Sequence, residues 1–230
     1  MFKVVLWDID GTLLDFEKAE ETGIHGCFKK YNLGECTEEM FEDYKKLNRG
    51  YWQMLERGEI EKQVLLVKRF EDFLGKYGLD TSVATDFNDT YQILLGDTVY
   101  FCENALETVL ALKGKVLQCA VTNGTKVAQD RKLRNSGLDK EFDYIFISEE
   151  IGIEKPNIGF FDKVFSVIGK FAPEEVLIVG DSLTSDIRGG VNAGIKTCWF
   201  NPNGVENTCG LAPDYEIRNI GEVLKLTNLQ

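Results

Sequence analysis

Short apolar runs alternate with helical segments over residues 96–230, and this alternation limits the possible folds more than any other feature of the chain. Strands and helices that alternate with short connections are typical of a parallel sheet covered by helices on both faces. We therefore predict an α/β fold with a doubly wound parallel sheet. The predicted strands are FKVVLW near the N-terminus and then KVLQCAV, YIFIS, EEVLIVG and IKTCWF, with a last helix near IGEVLKL.

A long helical insertion separates the first predicted strand from the others. Apolar residues recur at spacings of three and four over residues 16–95, and Gly58 and Gly78 are typical helix stops. We expect a helical cap domain at 16–95, inserted as a lid over the carboxyl edge of the sheet. The core domain is then formed by residues 1–15 and 96–230.

The charge of the chain restricts its partners. The 230 residues carry a formal net charge of −12 at pH 7, which argues against binding to nucleic acid polymers or anionic membranes. No apolar run reaches membrane-spanning length, and the N-terminal segment lacks the pattern of an export signal. The six cysteines form no CxxC pair, which argues against a zinc knuckle or a disulfide framework. We expect a cytoplasmic, monomeric protein.

Two carboxylates follow the first predicted strand in the sequence DIDGT. Alternate residues of an extended chain point to the same side, so Asp8 and Asp10 can converge on one site, and Gly11 allows a sharp turn after them. Ligands of open α/β sheets bind at the carboxyl ends of the strands. The pair therefore predicts a site for a cation or a proton, although an acidic surface turn is an equal alternative at this point.

Two further segments supply groups that suit a phosphate. Thr122, Asn123 and Gly124 follow the strand KVLQCA and precede a helix, where hydroxyl, amide and backbone N–H groups can bind phosphate oxygens. Lys155 stands before Pro156 in GIEKPN and would supply a positive charge opposite the carboxylates. Taken alone, an Asn-Gly pair is typical of a hairpin and a single lysine is typical of a solvated surface.

Acidic residues also follow the strand EEVLIV, in the sequence GDSLTSD. Asp181, Asp8 and a backbone carbonyl near Asp10 together form an all-oxygen set of the kind that Mg²⁺ prefers. Asp186 enters the next helix. Helix capping by Asp181 or Ser182 is the alternative, but capping does not explain why acids end two separate strands.

The segments DIDGT, VTNG, the KP lysine and GDSLTSD resemble, in order and spacing, the four signature motifs of the haloacid-dehalogenase-like (HAD) phosphatase superfamily. This resemblance implies a Rossmann-like core, and the helical insertion resembles the C1-type cap of the superfamily. Dehalogenases lack the second acid of the first motif, so Asp10 points to phosphoryl transfer. The segments YKKLNRGYWQMLERGEI, RFEDFL, IFISEEIGIEKP and GDSLTSDIRGGVNAGI resemble YjjG-type pyrimidine 5'-nucleotidases.

The resemblance implies a Mg²⁺-dependent phosphomonoesterase. Asp8 is then the nucleophile that becomes an aspartyl phosphate, and Asp10 is the general acid and base. Thr12 is expected to orient Asp10, and Asp186 is expected to fix Lys155 or a metal-bound water. The residues implied for phosphate binding are Thr122, Asn123, Gly124 and Lys155, and those implied for the metal are Asp8, Asp10 and Asp181.

Substrate choice would depend on the cap, because the core motifs contact only phosphate. Stacking of a base on Trp52 or Tyr51, with a polar contact from Asn48, would favour pyrimidine nucleoside monophosphates among small phosphomonoesters. Packing of these aromatic rings within the cap is an equal alternative. The one histidine, His25, is expected at the surface.

Three other functions compete with this one. A sugar phosphatase or a β-phosphoglucomutase-like phosphomutase would use the same core chemistry, and only the resemblance of the cap disfavours it. A GDSL-type serine esterase with Ser182 as nucleophile would need a histidine late in the chain, and none follows His25. A non-catalytic binding protein would be favoured by the loss of motif carboxylates, and none is lost.

Overall fold

One sheet of parallel strands runs through the computed structural model, which describes residues 1–227. The strands are β1 (Val4–Trp7), β2 (Leu117–Thr122), β3 (Tyr144–Ile147), β4 (Val176–Gly180), β5 (Lys196–Phe200) and β6 (Tyr215–Ile217). Over the described residues their order is β3-β2-β1-β4-β5-β6, which is the order of a Rossmann-like sheet. Val4 of β1 aligns with Leu117 of β2 and with Val176 of β4. The predicted α/β fold is therefore confirmed.

Two apolar cores lie on the two faces of this sheet. Val5 and Trp7 belong to one core, whereas Val4 and Leu6 belong to the other. All four side chains are fully buried. A strand that is covered on both faces needs no polar side, which explains why the sequence of β1 is a continuous apolar run.

A separate compact unit of helices spans Glu17–Thr98, and the other compact unit combines Met1–Phe16 with the chain from Val99 onward. We call them the helical unit and the core unit. The helices between the two parts of the core unit are α1 (Phe16–Lys30), α2 (Glu38–Glu56), α3 (Lys62–Lys76) and α4 (Ala84–Asp97). Their interior is aromatic, with the ring centroids of Tyr44 and Phe70 5.5 Å apart and those of Phe70 and Phe87 4.8 Å apart.

The remaining helices cover the sheet within the core unit. They are α5 (Ala105–Leu112), α6 (Lys126–Ser136), α7 (Ser148–Ile151), α8 (Ile158–Ile168), α9 (Arg188–Ala193) and α10 (Val223–Leu226), with one π-helical turn at Leu183–Ile187 that runs directly into α9. Val109 of α5 and Val223 of α10 join the core that contains Trp7, and Phe161 of α8 joins the other core.

Three elements differ from the sequence-based expectation. The sequence patterns did not indicate α5, α7 or β6. Strand β6 has three residues with Glu216 in the middle, which is too short a run for an alternating pattern to be detected. Within residues 1–227, no helix is both long enough and apolar enough to span a lipid bilayer.

Candidate active site

Three neighbouring strands deliver the residues that follow them to one edge of the sheet. Asp8 follows β1, Asn123 follows β2 and Asp181 follows β4. Since β1 pairs in parallel with both β2 and β4, the carboxyl ends of these strands lie side by side. The backbone N–H of Asp8 donates to the carbonyl oxygen of Val179 at 2.9 Å. The pairing of β1 with β4 therefore continues up to the first residue of the site.

The ammonium group of Lys155 lies at the centre of this site, and the residue is only 1% exposed. Its Nζ donates to Asp8 Oδ1 at 2.8 Å, to Asp186 Oδ1 at 2.7 Å and to the carbonyl oxygen of Val121 at 2.6 Å. Three acceptors match the three protons of an ammonium group. Burial lowers the pKa of Lys155, but the Asp186 and Asp8 carboxylates outweigh this effect and raise it, so the group keeps its charge.

The carboxylates around Lys155 carry more negative charge than the lysine balances. Oxygens of Asp8, Asp181 and Asp186 lie within 4.8 Å of one another. Burial raises the pKa of Asp8 from 3.8 to about 7, and the charge of Asp186 adds to this rise while Lys155 opposes it. When all three carboxylates are ionised, they and the ammonium leave two negative charges uncompensated. A divalent cation that prefers oxygen ligands would balance them, so these residues fit Mg²⁺.

Two glycines leave the space that the site carboxylates occupy. A Cβ atom at Gly11 would lie 2.6 Å from Asp181 Oδ2, and the φ angle of +87° at this position is unfavourable for any side chain. A Cβ atom at Gly180 would overlap the carboxyl group of Asp186. An alanine at either position would therefore displace a carboxylate from the site.

Thr12 connects the loops that follow β1 and β4. Its hydroxyl lies 3.1 Å from Asp8 Oδ2, to which it can donate, and it accepts a hydrogen bond from the backbone N–H of Asp181 at 3.0 Å. The family resemblance implies that this hydroxyl orients Asp10. The structure places it between Asp8 and Asp181 instead.

Asp10 is held by two side chains that no sequence pattern indicated. Lys132 forms an ion pair with Asp10 Oδ1, and Gln129 Nε2 donates to Asp10 Oδ2 at 2.6 Å. Both residues lie on α6, which begins just after VTNG, and residues three apart share a helix face. The sequence QDRKLRNS is typical of a solvated helix. Only the spacing of three residues, on a helix that follows a strand end, could have indicated that these side chains reach the site.

The side chain of Asn123 ties the turn after β2 to the Lys155 loop. Its Oδ1 accepts from the backbone N–H of Lys155 at 2.9 Å, and its Nδ2 donates to the carbonyl oxygen of Lys155 at 2.8 Å. Thr122 is buried, and its hydroxyl accepts from the backbone N–H of Gly124 at 3.1 Å. The structure thus brings the four residues expected to bind phosphate around one turn.

Asp186 contacts both Lys155 and the start of the π-helical turn. Its Oδ1 accepts from Lys155, and its Oδ2 accepts from the backbone N–H of Ser182 at 3.1 Å. Ser182, the candidate esterase nucleophile, caps this turn, because its hydroxyl accepts from the backbone N–H of Ser185 at 3.1 Å. An esterase would require a histidine at the hydroxyl of Ser182, and the hydrogen bonds of this hydroxyl within the described residues are to Thr184 and Ser185.

Trp199 is another site residue that no sequence pattern indicated. Its indole N–H donates to the carbonyl oxygen of Asp181 at 2.9 Å. A tryptophan in a buried strand matches an ordinary core residue, so no local pattern distinguishes it. The contact fixes the backbone from which the Asp181 carboxylate projects.

Asn48, the polar specificity candidate, belongs to a buried network in the helical unit. It is 3% exposed, its Nδ2 donates to Glu20 Oε1 at 2.6 Å, and its Oδ1 accepts from Arg69 Nη1 at 2.7 Å. Burial raises the pKa of Glu20 from 4.5 to about 7, although Asn48 and Arg69 oppose this rise. Both polar ends of Asn48 are therefore engaged by protein groups.

The two aromatic specificity candidates also have partners in the helical unit. The hydroxyl of Tyr51 donates to Asp72 Oδ2 at 2.5 Å. Tyr51 and Trp52 pack against a small apolar cluster on α2 and α3 that includes Leu55. His25 is exposed on α1, as expected.

Comparison with known proteins identifies the family. The family model for haloacid dehalogenase-like hydrolase sequences matches residues 5–200 of this chain. The chain is 34% identical to the pyrimidine 5'-nucleotidase PynA of Streptococcus pneumoniae, with 97% of this chain and 94% of PynA covered. It is 31% identical to the pyrimidine 5'-nucleotidase YjjG of Escherichia coli, with 96% of each chain covered.

A third relative, the HAD-hydrolase YfnB of Bacillus subtilis, is 35% identical over 229 residues, which cover 100% of this chain and 97% of YfnB. A crystal structure of YfnB bound to magnesium superposes on this chain with a TM-score of 0.92 over 99% of both chains. The family match runs through β1, β2, β3, β4 and β5, and includes the segments that supply Asp8, Lys155 and Asp181. This chain therefore belongs to the haloacid dehalogenase-like hydrolases and is an enzyme of that family.

Proposed function

We propose that this enzyme is a Mg²⁺-dependent phosphomonoesterase that acts through an aspartyl phosphate on Asp8. The observation that carries the proposal is the buried ammonium of Lys155, which contacts Asp8 among convergent carboxylates. A nucleophile held beside a fixed positive charge suits attack on an anionic phosphate ester. Asp8, Asp181 and the carbonyl group of Asp10 are the proposed Mg²⁺ ligands, and Mg²⁺ when bound would offset the charge of nucleophile and phosphate.

We assign different roles to two domains of the chain. Residues 1–15 and 96–230 form the core domain that carries out the chemistry. Residues 16–95 form the cap domain that selects the substrate, because the groups at the sheet edge recognise only the phosphate.

In the first half of the reaction, a carboxylate oxygen of Asp8 forms a bond to phosphorus while the bond from phosphorus to the leaving oxygen breaks. Asp10 gives its proton to that oxygen, so the product leaves as an alcohol. The ammonium of Lys155 and the hydroxyl of Thr122 bind phosphoryl oxygens. Asp186 keeps Lys155 in position through its 2.7 Å contact.

In the second half, a water molecule attacks the phosphorus of the aspartyl phosphate. Asp10, now ionised, takes a proton from this water. The bond between phosphorus and Asp8 breaks, inorganic phosphate leaves, and Asp8 returns as a carboxylate. Asp10 regains its proton, so one residue serves as acid and then as base.

Pyrimidine nucleoside 5'-monophosphates are the proposed substrates. The support is the similarity to PynA and YjjG, both pyrimidine 5'-nucleotidases, over 96% or more of this chain. Tyr51 or Trp52 is the proposed stacking partner of the base, whereas Asn48 is buried with both polar ends bound to Glu20 and Arg69 and is not proposed as a contact. An aromatic stack is worth about 0.5–1.5 kcal/mol, so Trp52→Ala should lower kcat/KM for uridine monophosphate up to about tenfold.

Phosphate release from a panel of esters tests the proposal. The panel contains pyrimidine and purine nucleoside monophosphates and sugar phosphates, each with Mg²⁺ and with a chelator. We expect Mg²⁺-dependent release with the highest kcat/KM for a pyrimidine nucleotide, and no release by Asp8→Asn. Asp162→Asn is the matched control, because Asp162 is an exposed carboxylate on α8.

Three outcomes would contradict parts of the proposal. Equal release with chelator would exclude the proposed role of Mg²⁺. A preference for sugar phosphates would retain the chemistry but replace the substrate, as would isomerisation of a sugar phosphate without release of phosphate.

A further inference from the structure

Two side chains on one face of α6 bind the carboxylate of Asp10. Lys132 contacts Oδ1 and Gln129 contacts Oδ2, so each carboxylate oxygen has its own donor. Two donors on the same rigid element fix both the direction and the plane of a carboxylate, whereas one donor would leave it free to rotate. Gln129 and Lys132 lie 119 and 122 residues after Asp10 in the sequence.

Both donors are removed from solvent. Gln129 is 0% exposed and Lys132 is 1% exposed. The Lys132 ammonium also lies 5.1 Å from the ring centroid of Phe16, which closes off another side. A buried ammonium is costly unless a carboxylate lies against it, and Asp10 supplies that carboxylate. Burial therefore favours keeping the Lys132 ammonium against the Asp10 carboxylate.

The amide of Gln129 contacts Asp10 at a cost to the stability of the folded protein. Its Oε1 is buried without a hydrogen-bond partner among the described residues, while its Nε2 faces Asp10. An unsatisfied buried acceptor costs about 1–3 kcal/mol, which an apolar side chain at the same place would avoid. The turn before α6 also makes room for this amide, because a Cβ atom at Gly124 would overlap it.

We infer that Gln129 and Lys132 are positioning residues that aim Asp10 at the leaving oxygen and at the attacking water. A carboxyl group has about four lone-pair sites, and the two donors occupy two of them. The other two stay free to carry the proton that the reaction moves. This inference rests on the proposed function, since it assigns a role within the acid–base step.

Leaving-group dependence tests the inference. p-Nitrophenyl phosphate releases a stable phenolate that needs no proton, whereas uridine monophosphate releases an alkoxide that does. Lys132→Met and Gln129→Leu should lower kcat/KM for uridine monophosphate about tenfold more than for p-nitrophenyl phosphate. The ratio of the two values does not depend on how much of a variant is folded, so a loss of stability cannot imitate the effect. Lys132→Arg should recover part of the ratio.

Lys126→Met is the matched control, because Lys126 lies on the same helix with its ammonium on the exposed Asp130 and Glu150 carboxylates. Its ratio should equal that of the wild type. If Lys132→Met and Gln129→Leu lower both activities in parallel, the two residues only support the fold and the inference is wrong. If the wild type releases phosphate from neither ester with Mg²⁺, the proposed function fails, and the inference fails with it.

Discussion

Replacing Asp8 by asparagine should stabilise the metal-free protein at alkaline pH, even though it removes the proposed nucleophile. Asp8 is buried beside Asp186, and these surroundings raise its pKa from 3.8 to about 7. The ionised carboxylate is therefore less favourable in the folded protein than in the unfolded chain, despite its contact with Lys155. Asparagine has nearly the same shape and no charge, and Asp186 still faces Lys155.

The size of the effect follows from the shift. Because the folded-state pKa lies above the unfolded value, protonated Asp8 stabilises the folded state below about pH 4, and this contribution is lost as the pH rises through about 7. At 1.36 kcal/mol per pKa unit, the full shift is worth about 4 kcal/mol. In a chelator, Asp8→Asn should therefore be about 4 kcal/mol more stable than the wild type at pH 8, and less than about 1 kcal/mol more stable at pH 4.

Thermal unfolding followed by circular dichroism measures this difference. For a chain of this size about 1 kcal/mol shifts the midpoint by 2–4 °C, so we expect a gain of about 10 °C at pH 8 in chelator. Adding Mg²⁺ should raise the midpoint of the wild type, because the ion supplies positive charge beside the ionised Asp8 carboxylate. The effect on the variant should be smaller, because asparagine carries no charge to balance. Asp162→Asn, which changes an exposed carboxylate, should follow the wild type at every pH.

Equal midpoints for Asp8→Asn and the wild type in chelator at pH 8 would refute this reasoning. A variant that is less stable at pH 8 would refute it as well, since the contact with Lys155 would then outweigh burial. A gain that is the same at pH 4 and pH 8 would show that the effect comes from packing and not from charge.

Three further changes have expected outcomes. Trp199→Phe removes the donor to the Asp181 carbonyl, so the Mg²⁺ concentration for half-maximal activity should rise several-fold while far-ultraviolet circular dichroism stays unchanged. Gly11→Ala combines a positive φ with a Cβ atom 2.6 Å from Asp181, so it should abolish phosphate release and lower the free energy of unfolding by about 1–3 kcal/mol in urea titrations. Glu20→Gln keeps the acceptor for Asn48 but removes a buried charge whose pKa is raised from 4.5 to about 7, so it should raise the unfolding temperature at pH 8 and leave it unchanged near pH 4.

The fold could be predicted because its elements carry local patterns. Each long strand of the sheet is an apolar run, and the helical unit shows a regular helical spacing, so the order of elements follows from the sequence. The site residues Asp8, Asn123 and Asp181 could be placed together because each ends such a run, and parallel strands bring their carboxyl ends to one edge.

The missed parts of the site depend on contacts between distant segments. Gln129 and Lys132 lie on a polar helix whose sequence matches a solvated surface, and only the folded chain shows their side chains on Asp10. The family resemblance implied that Thr12 orients Asp10, but its hydroxyl lies between Asp8 and Asp181. A short hydroxyl side chain reaches whichever acceptor the turn presents, and the turn geometry is not readable from residue types.

The central place of β1 in the sheet has a consequence for synthesis on the ribosome. Val4 pairs with Leu117 and Val176, so the strand that leads into Asp8 is translated long before either of its neighbours. At about 5–20 residues per second, roughly ten to thirty seconds separate the first strand from its last partner. Until β2 has been translated, the nascent chain carries an apolar segment with both backbone edges unpaired, which favours aggregation and chaperone binding. The helical unit, Glu17–Thr98, is translated earlier and has contacts within itself, so it can become ordered before the strands that pair with β1 are made.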